Sequence, residues 1–361
     1  MSTGLRIVHI ASGREWRGGQ KQAWLLAREL HALDCPQVVV TGADTELERR
    51  LRAEGVAVHA VGWQAGLSPA AARAAWVESR RGGAVLHAHD GHSTTIAGMA
   101  ATLSRVPFLA TRRVDFPLRR LGFWGRADRV VAISDAVRTI IVRGGLDPAR
   151  VPVIHSGIDV EVVAATRSEG AREAVGLPHD RPLAVATGAL VDHKDHRTLI
   201  AAAAYAKAFA PELLWAIAGE GPLRPVLEQQ IADLGLGDTV RLLGHLPDPL
   251  PLVASADCFV TSSKEEGLGT AMLDAMALGR PVAATAGGGI PEILAQESGL
   301  VVPVRDAPAL GDAVIRIIRD ASFAAALSAR GRIRVGMFSA RRMAEAYLSL
   351  YRSLLPTPNG P

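Results

Sequence analysis

Short, almost uninterrupted apolar runs alternate with helix-length segments along most of the chain, and this rhythm limits the fold more than any other feature. In the first half the runs are LRIVHIA, QVVVTGA, VAVHAVG, AVLHAHD, PFLATRR and RVVAISD. A strand with one face in water alternates apolar and polar side chains, whereas these runs are apolar on both sides. They require a sheet covered on both faces, which a parallel sheet with helical crossovers provides. The expected architecture is therefore doubly wound α/β.

The pattern then restarts. After VPVIHSGID comes a polar stretch, ATRSEGAREAVGLPHDRP, and a second series follows: LAVATGAL, LLWAIAGEG, TVRLLGH, CFVTSS, PVAATAG and GLVVPV. A length of 361 residues suits two domains better than one, and 48% apolar with 21% charged residues is globular composition. We expect an N-terminal Rossmann-like lobe over 1–155 and a second over 156–336. Residues 337–361 should hold a helix, with Met343, Ala346, Tyr347, Leu350 and Leu354 at helical spacing, that returns to the first lobe before a frayed Pro/Gly tail.

Several function classes are disfavoured. Cys35 and Cys258 are far apart and lack metal-type spacing, so neither a disulfide framework nor a structural zinc site is expected. The N-terminus MSTGLRIVHIASG is a poor signal peptide, and no run reaches the roughly 18–20 apolar residues of a spanning helix. A cytoplasmic protein follows as the expectation. The net charge of +4 is a mild preference for an anionic partner.

Two doubly wound lobes should face one another across a cleft, with ligands outside the carboxyl ends of the strands. The segment SKEEGLGTAMLDAMALGR satisfies that placement, because CFVTSS is a strand and TAMLDAMALG a good helix former. Glu266, Gly267, Leu268, Gly269 and Thr270 then lie on the loop between them. The glycines let backbone approach a ligand, and the helix N-terminus favours a diphosphate. Asp274, a turn into the helix, offers a carboxylate to a ribose diol. Helix acids that merely complement the dipole remain the plainer account of such a loop in isolation.

The loop is not isolated. EGLGTAMLDAMALGRPV resembles the E-G-F-G-L-x-x-L-E-A-M-A-x-G-x-P-V signature of family 4 glycosyltransferases with the GT-B fold. GALVDHKDHRTLI, AGEGPLRPVLEQQIADLGLGDTVRLLGHLPD and AGGGIPEIL resemble further motifs of that family in the same order. The resemblance implies Glu266 as the carboxylate at the donor sugar and Lys194 as the cation on the nucleotide diphosphate. It places Leu246 against the base and Asp274, one methylene shorter than the usual glutamate, at the ribose. Where many members carry an arginine after the strand glycine, this chain has Ala189. Glu292 of GIPEIL is read as capping its own helix.

In the first lobe, Gly18 and Gly19 follow the first strand and open a helix, resembling the family's other face of the donor site. Trp16 has two readings, stacking on an acceptor sugar or partial burial in the loop. Of the histidines in VLHAHDGHSTT, His89 is expected to face the cleft and orient acceptor or sugar while His87 packs or points away; His87, His89 and His92 are not read as a metal site. Arg113 stands where many members have histidine. An arginine cannot accept a proton, but it can hold an acceptor phosphate or the leaving diphosphate. Arg112, Arg113, Arg119 and Arg120 together have the further reading of a solvated or membrane-facing patch.

The resulting expectation is a retaining, metal-independent glycosyltransferase without a cofactor. It would move a sugar from a nucleotide diphosphate sugar to a glycan or glycolipid hydroxyl, in cell-envelope synthesis of the lipopolysaccharide core type. Peripheral contact with the anionic inner face of the membrane fits, and nucleic acid is not an expected partner. The competing readings are a GT-B-like nucleotide-sugar epimerase and a non-enzymatic two-lobe sugar-binding protein. The first needs acid–base residues that do not stand out in the chain, and the second would need export.

Overall fold

The computed structural model describes residues 4–13, 15–63, 66–114, 116–117 and 121–355. Arg119 and Arg120 therefore lie outside the described residues. The chain forms two compact units, Met1–Gly157 with Ser339–Pro361 as unit 1, and Ile158–Phe338 as unit 2.

Unit 1 contains β1 (Arg6–Ala11), α1 (Gly18–Ala32), β2 (Gln37–Gly42), α2 (Glu46–Ala53), β3 (Val58–Val61), α3 (Pro69–Ser79), β4 (Ala84–Ala88), α4 (Gly91–Ser104), β5 (Phe108–Arg112), β6 (Arg129–Ala132) and α5 (Asp135–Arg143). All pairings are parallel, in the order β3-β2-β1-β4-β5-β6. The chain starts in the middle of the sheet, winds outward to β3, and restarts beside β1. That reversal puts the topological switch point between β1 and β4. Side-chain caps mark helix starts as the residue types require: Thr45, Ser68 and Ser134 each accept from a first-turn amide, and Asp90 with Ser93 forms a capping box on α4.

Unit 2 runs α6 (Val160–Ala164), β7 (Leu183–Thr187), α7 (His196–Lys207), β8 (Leu214–Ala218), α8 (Arg224–Asp233), β9 (Val240–Gly244), α9 (Leu250–Ala254), β10 (Cys258–Thr261), α10 (Thr270–Ala277), β11 (Val282–Thr285), α11 (Ile290–Ile293), β12 (Leu300–Val302), α12 (Ala307–Arg319) and α13 (Ala321–Val335). Its parallel sheet has the order β12-β11-β10-β7-β8-β9, the same winding as unit 1, with the switch point between β7 and β10. The central strands β7, β8 and β10 are almost wholly buried, whereas the edge strands β9 and β12 are partly exposed. Burial on both faces at the centre is the reason these runs carry no polar alternation.

The last helix, α14 (Ala340–Leu354), belongs to unit 1 and packs on α1. Its buried side chains are Ala340, Met343, Ala344, Tyr347, Leu348 and Tyr351. The expected stripe is displaced by part of a turn, with Ala346 exposed and Leu350 half-buried. The two tyrosines account for the shift: each hydroxyl reaches a polar group within the unit, and the helix rotates to bury both rings. Each large side chain so buried contributes roughly 1.5–3 kcal/mol.

Candidate active site

The carboxyl ends of β7 to β10 enclose a cavity of about 400 Å³ in unit 2. Thr187, Gly188 and Ala189 line it from β7, Gly219 and Glu220 from β8, and His245 and Leu246 from β9. The end of β10 supplies Thr261, and the segment after it supplies Glu266, Gly269 and Thr270. The cavity thus lies at the switch point of this sheet, where a doubly wound fold leaves room for a ligand.

Glu266 and Lys194 form an ion pair on its wall. Several contacts fix both backbones. Ser262 Oγ donates to Lys194 O at 3.0 Å, the Lys264 amide donates to His193 O at 3.0 Å, and Lys264 Nζ reaches Asp192 at 2.6 Å. On the other side the Gly289 amide donates to Glu266 O at 2.8 Å. Gly288, at φ +54°, passes so close that an added Cβ would fall 2.0 Å from Glu266 O. The glycines of AGGGIPEIL therefore hold the Glu266 loop, a role the sequence motif carried without naming a residue. Ser263 Oγ lies 3.4 Å from Glu266 Oε2.

α10 begins at the cavity with Gly269 as N-cap, no side-chain cap and no acid in its first turn. Its amides and positive dipole end are available to an anion beside the Lys194 ammonium. Leu246 lines the cavity as expected, and so do Gly269 and Thr270. Leu268, Gly267 and Asp274 do not. Leu268 is 1% exposed: its apolar side chain turns into the core and anchors the loop. Asp274 sits half-buried in α10. Ala189 lines the cavity beside Gly188, and its carbonyl accepts from His196 Nε2 at 3.2 Å; burial pushes the His196 pKa down to about 4.

Sequence reasoning missed Glu220, His245, Thr187 and Thr261. Each follows or ends a strand at the carboxyl edge, so position alone could have found them. The Gly221 amide and Arg224 hold the Glu220 carboxyl below its usual range. Close approach also dictates Gly219, where a Cβ would lie 1.8 Å from Gly188 O.

In unit 1, Gly18 and Gly19 open α1 with empty space where side chains would project, and α1 has neither a side-chain cap nor an acid in its first turn. Trp16 is half-buried, edge-on to Trp24 and covered by the Arg50 guanidinium 4.5 Å from its ring centre. That geometry fits the partly buried reading.

The histidines differ from expectation. His89 is 5% exposed and its ring lies 4.0 Å from that of His87. Residues two apart project to the same side of an extended chain, so His87 and His89 stay together. His9, in register with His87 on the neighbouring strand, joins them, while His92 is exposed. His9 Nδ1 is 3.0 Å from His89 Nε2; His87 is held by the Tyr351 hydroxyl at 2.6 Å and Thr111 Oγ1 at 2.7 Å, and Thr111 Oγ1 meets the Tyr347 hydroxyl at 2.7 Å. Ligand atoms of the three histidines lie within 4.8 Å of one another. Arg113, half-buried after β5, donates from Nη1 to His89 O at 2.8 Å and from Nη2 to His89 Nδ1 at 3.1 Å. Burial lowers all three histidine pKa values, that of His9 to about 3, and the nearby Arg113 charge lowers them further.

Comparison with known proteins identifies the family. Residues 168–334 match the profile of glycosyl transferases group 1 and residues 16–162 that of glycosyltransferase family 4. The lipopolysaccharide core biosynthesis glycosyltransferase LpsE of Rhizobium meliloti is 32% identical over 249 residues, 68% of this chain and 70% of that protein. A D-inositol 3-phosphate glycosyltransferase of Saccharomonospora viridis is 30% identical over 292 residues, 76% of this chain and 68% of its own. The crystal structure of Anabaena HepE superposes with a TM-score of 0.84 at 19% identity, covering 97% of this chain and 100% of that one. With two family profiles in tandem on two Rossmann-like units, the chain belongs to the family 4 glycosyltransferases of the GT-B fold.

Proposed function

We propose that this glycosyltransferase binds a nucleotide diphosphate sugar in the unit-2 cavity and transfers the sugar to an acceptor hydroxyl with retention of anomeric configuration. The observation that carries the reading is the Glu266–Lys194 pair on the cavity wall at the start of α10. The ammonium has three N–H donors and can serve Glu266 and a diphosphate together. The α10 amides add fixed positive charge where the leaving group gains negative charge. Glu266 then positions a sugar hydroxyl and faces the positive character that grows at the anomeric carbon. In a front-face displacement the leaving phosphate oxygen takes the acceptor proton, and the protein supplies alignment and charge rather than a nucleophile. Lys194 and the helix amides perform the task a metal would otherwise have, so transfer is expected to persist in EDTA. Anabaena HepE has been crystallised with UDP and with UDP-glucose, which favours this donor class.

The acceptor is a glycan or glycolipid of the cell envelope, lipopolysaccharide core type, a reading supported by the likeness to LpsE. Arg113 in unit 1 holds an anionic group of that acceptor. Among the described residues no helix is long and apolar enough to cross a membrane. Val114 and Phe116 are exposed beside Arg112 and fit peripheral contact with the inner face of an anionic bilayer.

A thermal-shift screen of UDP-, GDP- and ADP-sugars tests the donor, since a ligand at 100 times its Kd stabilises by about 2.7 kcal/mol. One donor should shift the transition, and no shift from any would overturn the reading. The product's anomeric configuration by NMR tests retention.

A further inference from the structure

We propose that Arg113, His89 and His9 form a hydrogen-bond chain of fixed direction, in which His89 and His9 are positioning residues that hold the Arg113 guanidinium at the carboxyl end of the unit-1 sheet. The functional weight of this chain rests on the reading of Arg113 as the acceptor-side cation. Its direction rests on geometry alone.

A guanidinium only donates, so His89 Nδ1, 3.1 Å from Arg113 Nη2, accepts. A neutral His89 must then carry its proton on Nε2. That proton points at His9 Nδ1, 3.0 Å away, which therefore accepts as well. His9 in turn carries its proton on Nε2, a buried atom with no close partner among the described residues. Gln37 is not a member of the chain: its amide nitrogen donates to Ala27 O at 2.7 Å, and its buried oxygen has no hydrogen-bond partner among the described residues. The obligate donor at the arginine end thus sets both histidine tautomers.

The chain works only with both histidines neutral. A proton added to His89 would oppose Nδ1–H to the arginine, and one added to His9 would oppose it to the His89 Nε2–H. Burial and the adjacent cation resist both events. The remaining groups packed here do not relieve this. Asp90 is occupied by the Ser12 and Ser93 amides at 2.7 and 2.9 Å, and His87 is engaged at both nitrogens by Tyr351 and Thr111. The same engagement of His87, with Arg113 on His89, is why the three rings are read as a hydrogen-bonded cluster rather than as a metal site.

The test is NMR of the full chain labelled with nitrogen-15 in histidine and arginine. Long-range proton–nitrogen correlations should show His9 and His89 both protonated on Nε2 at about pH 7. Arg113 should show separate Nη signals, as a guanidinium whose rotation is restrained. His89→Asn and His9→Asn provide the assignments, and in both the Arg113 signals should merge as the head group is released. An Nδ1–H tautomer or a charged ring at His9 or His89 overturns the chain, and this is decided on the wild type should a variant fail to fold. Displacement of the three histidine signals by one equivalent of Zn²⁺ also overturns it, in favour of a metal site. Separate Nη signals that persist in both variants remove the positioning role. Inorganic phosphate tests the underlying reading independently: it should shift the Arg113 signals in the wild type and bind about three- to tenfold more weakly in His9→Asn, the range a single neutral hydrogen bond covers. The expected tautomers with no phosphate response uphold the chain and overturn the assignment of Arg113 to an anionic acceptor.

Discussion

The two units share one winding and differ in what fills the switch point. Between β7 and β10, Gly188, Gly219 and Gly269 leave a cavity of about 400 Å³ with Lys194 and Glu266 on its wall. Between β1 and β4, His9, His87 and His89 bring three rings into the interior, and Asp90 after β4 and Arg113 after β5 bond to their own unit. The same backbone path therefore yields a container in one unit and a rigid polar mount in the other. Topology supplies the location, and side-chain volume at a few strand ends decides its use.

The largest effect should come from the container. Glu266→Gln keeps the shape and removes the charge, and turnover should fall about 10²- to 10³-fold, the scale of one preorganised electrostatic contact, with donor Kd little changed. Steady-state kinetics beside calorimetric donor binding reads both quantities, and unchanged turnover would remove Glu266 from the chemistry. Lys194→Met should instead weaken nucleoside diphosphate binding, by roughly 10- to 100-fold for a lost charged hydrogen bond. Equal losses for the nucleoside and its diphosphate would show that the lysine acts elsewhere. Gly219→Ala tests the container's wall: the methyl group meets Gly188 O, and unit 2 should lose about 1–3 kcal/mol in denaturant unfolding.

Acid separates the units by a smaller amount. A histidine whose pKa is lowered in the fold stabilises above its unfolded pKa of 6.5, and the stability is lost as pH falls. For His9, with a folded value of about 3, the loss from pH 6.5 to pH 5 is about 2 kcal/mol. Among the described residues unit 1 has His9, His87 and His89 so lowered and unit 2 has His196. Unit 1 should open first to limited proteolysis as pH falls toward 5, and His9→Asn should narrow the gap. Simultaneous opening would break the comparison. The smallest effect is at Gly18, where a methyl group meets open space. Gly18→Ala should leave unit-1 stability within about 0.5 kcal/mol, in contrast to Gly219→Ala.

Much of this was legible in the sequence because it depends on local pattern. All twelve apolar runs became strands, since continuous burial on both faces demands such runs whatever surrounds them. The Glu266 loop and Lys194 lay between a recognisable strand and helix, so their place at a strand's carboxyl end followed from order along the chain. The separation expected of His87 and His89 does not occur because residues two apart share a side of a strand, and His9, 80 residues from His89, joins them only through strand register. Leu268 was misjudged because a loop residue's direction depends on the core beneath it.

By itself the sequence determined two doubly wound units, the glycine-bearing loop after β10, and the positions of Glu266 and Lys194 after their strands, because periodicity and spacing are properties of neighbouring residues. Only the tertiary structure decided that Gly288 clamps Glu266, that α14 supplies Tyr347 and Tyr351 to unit 1, and that Arg113 rests on His89. Each of those contacts joins segments distant in the chain. Its existence depends on how neighbouring strands align, and no local preference encodes that alignment.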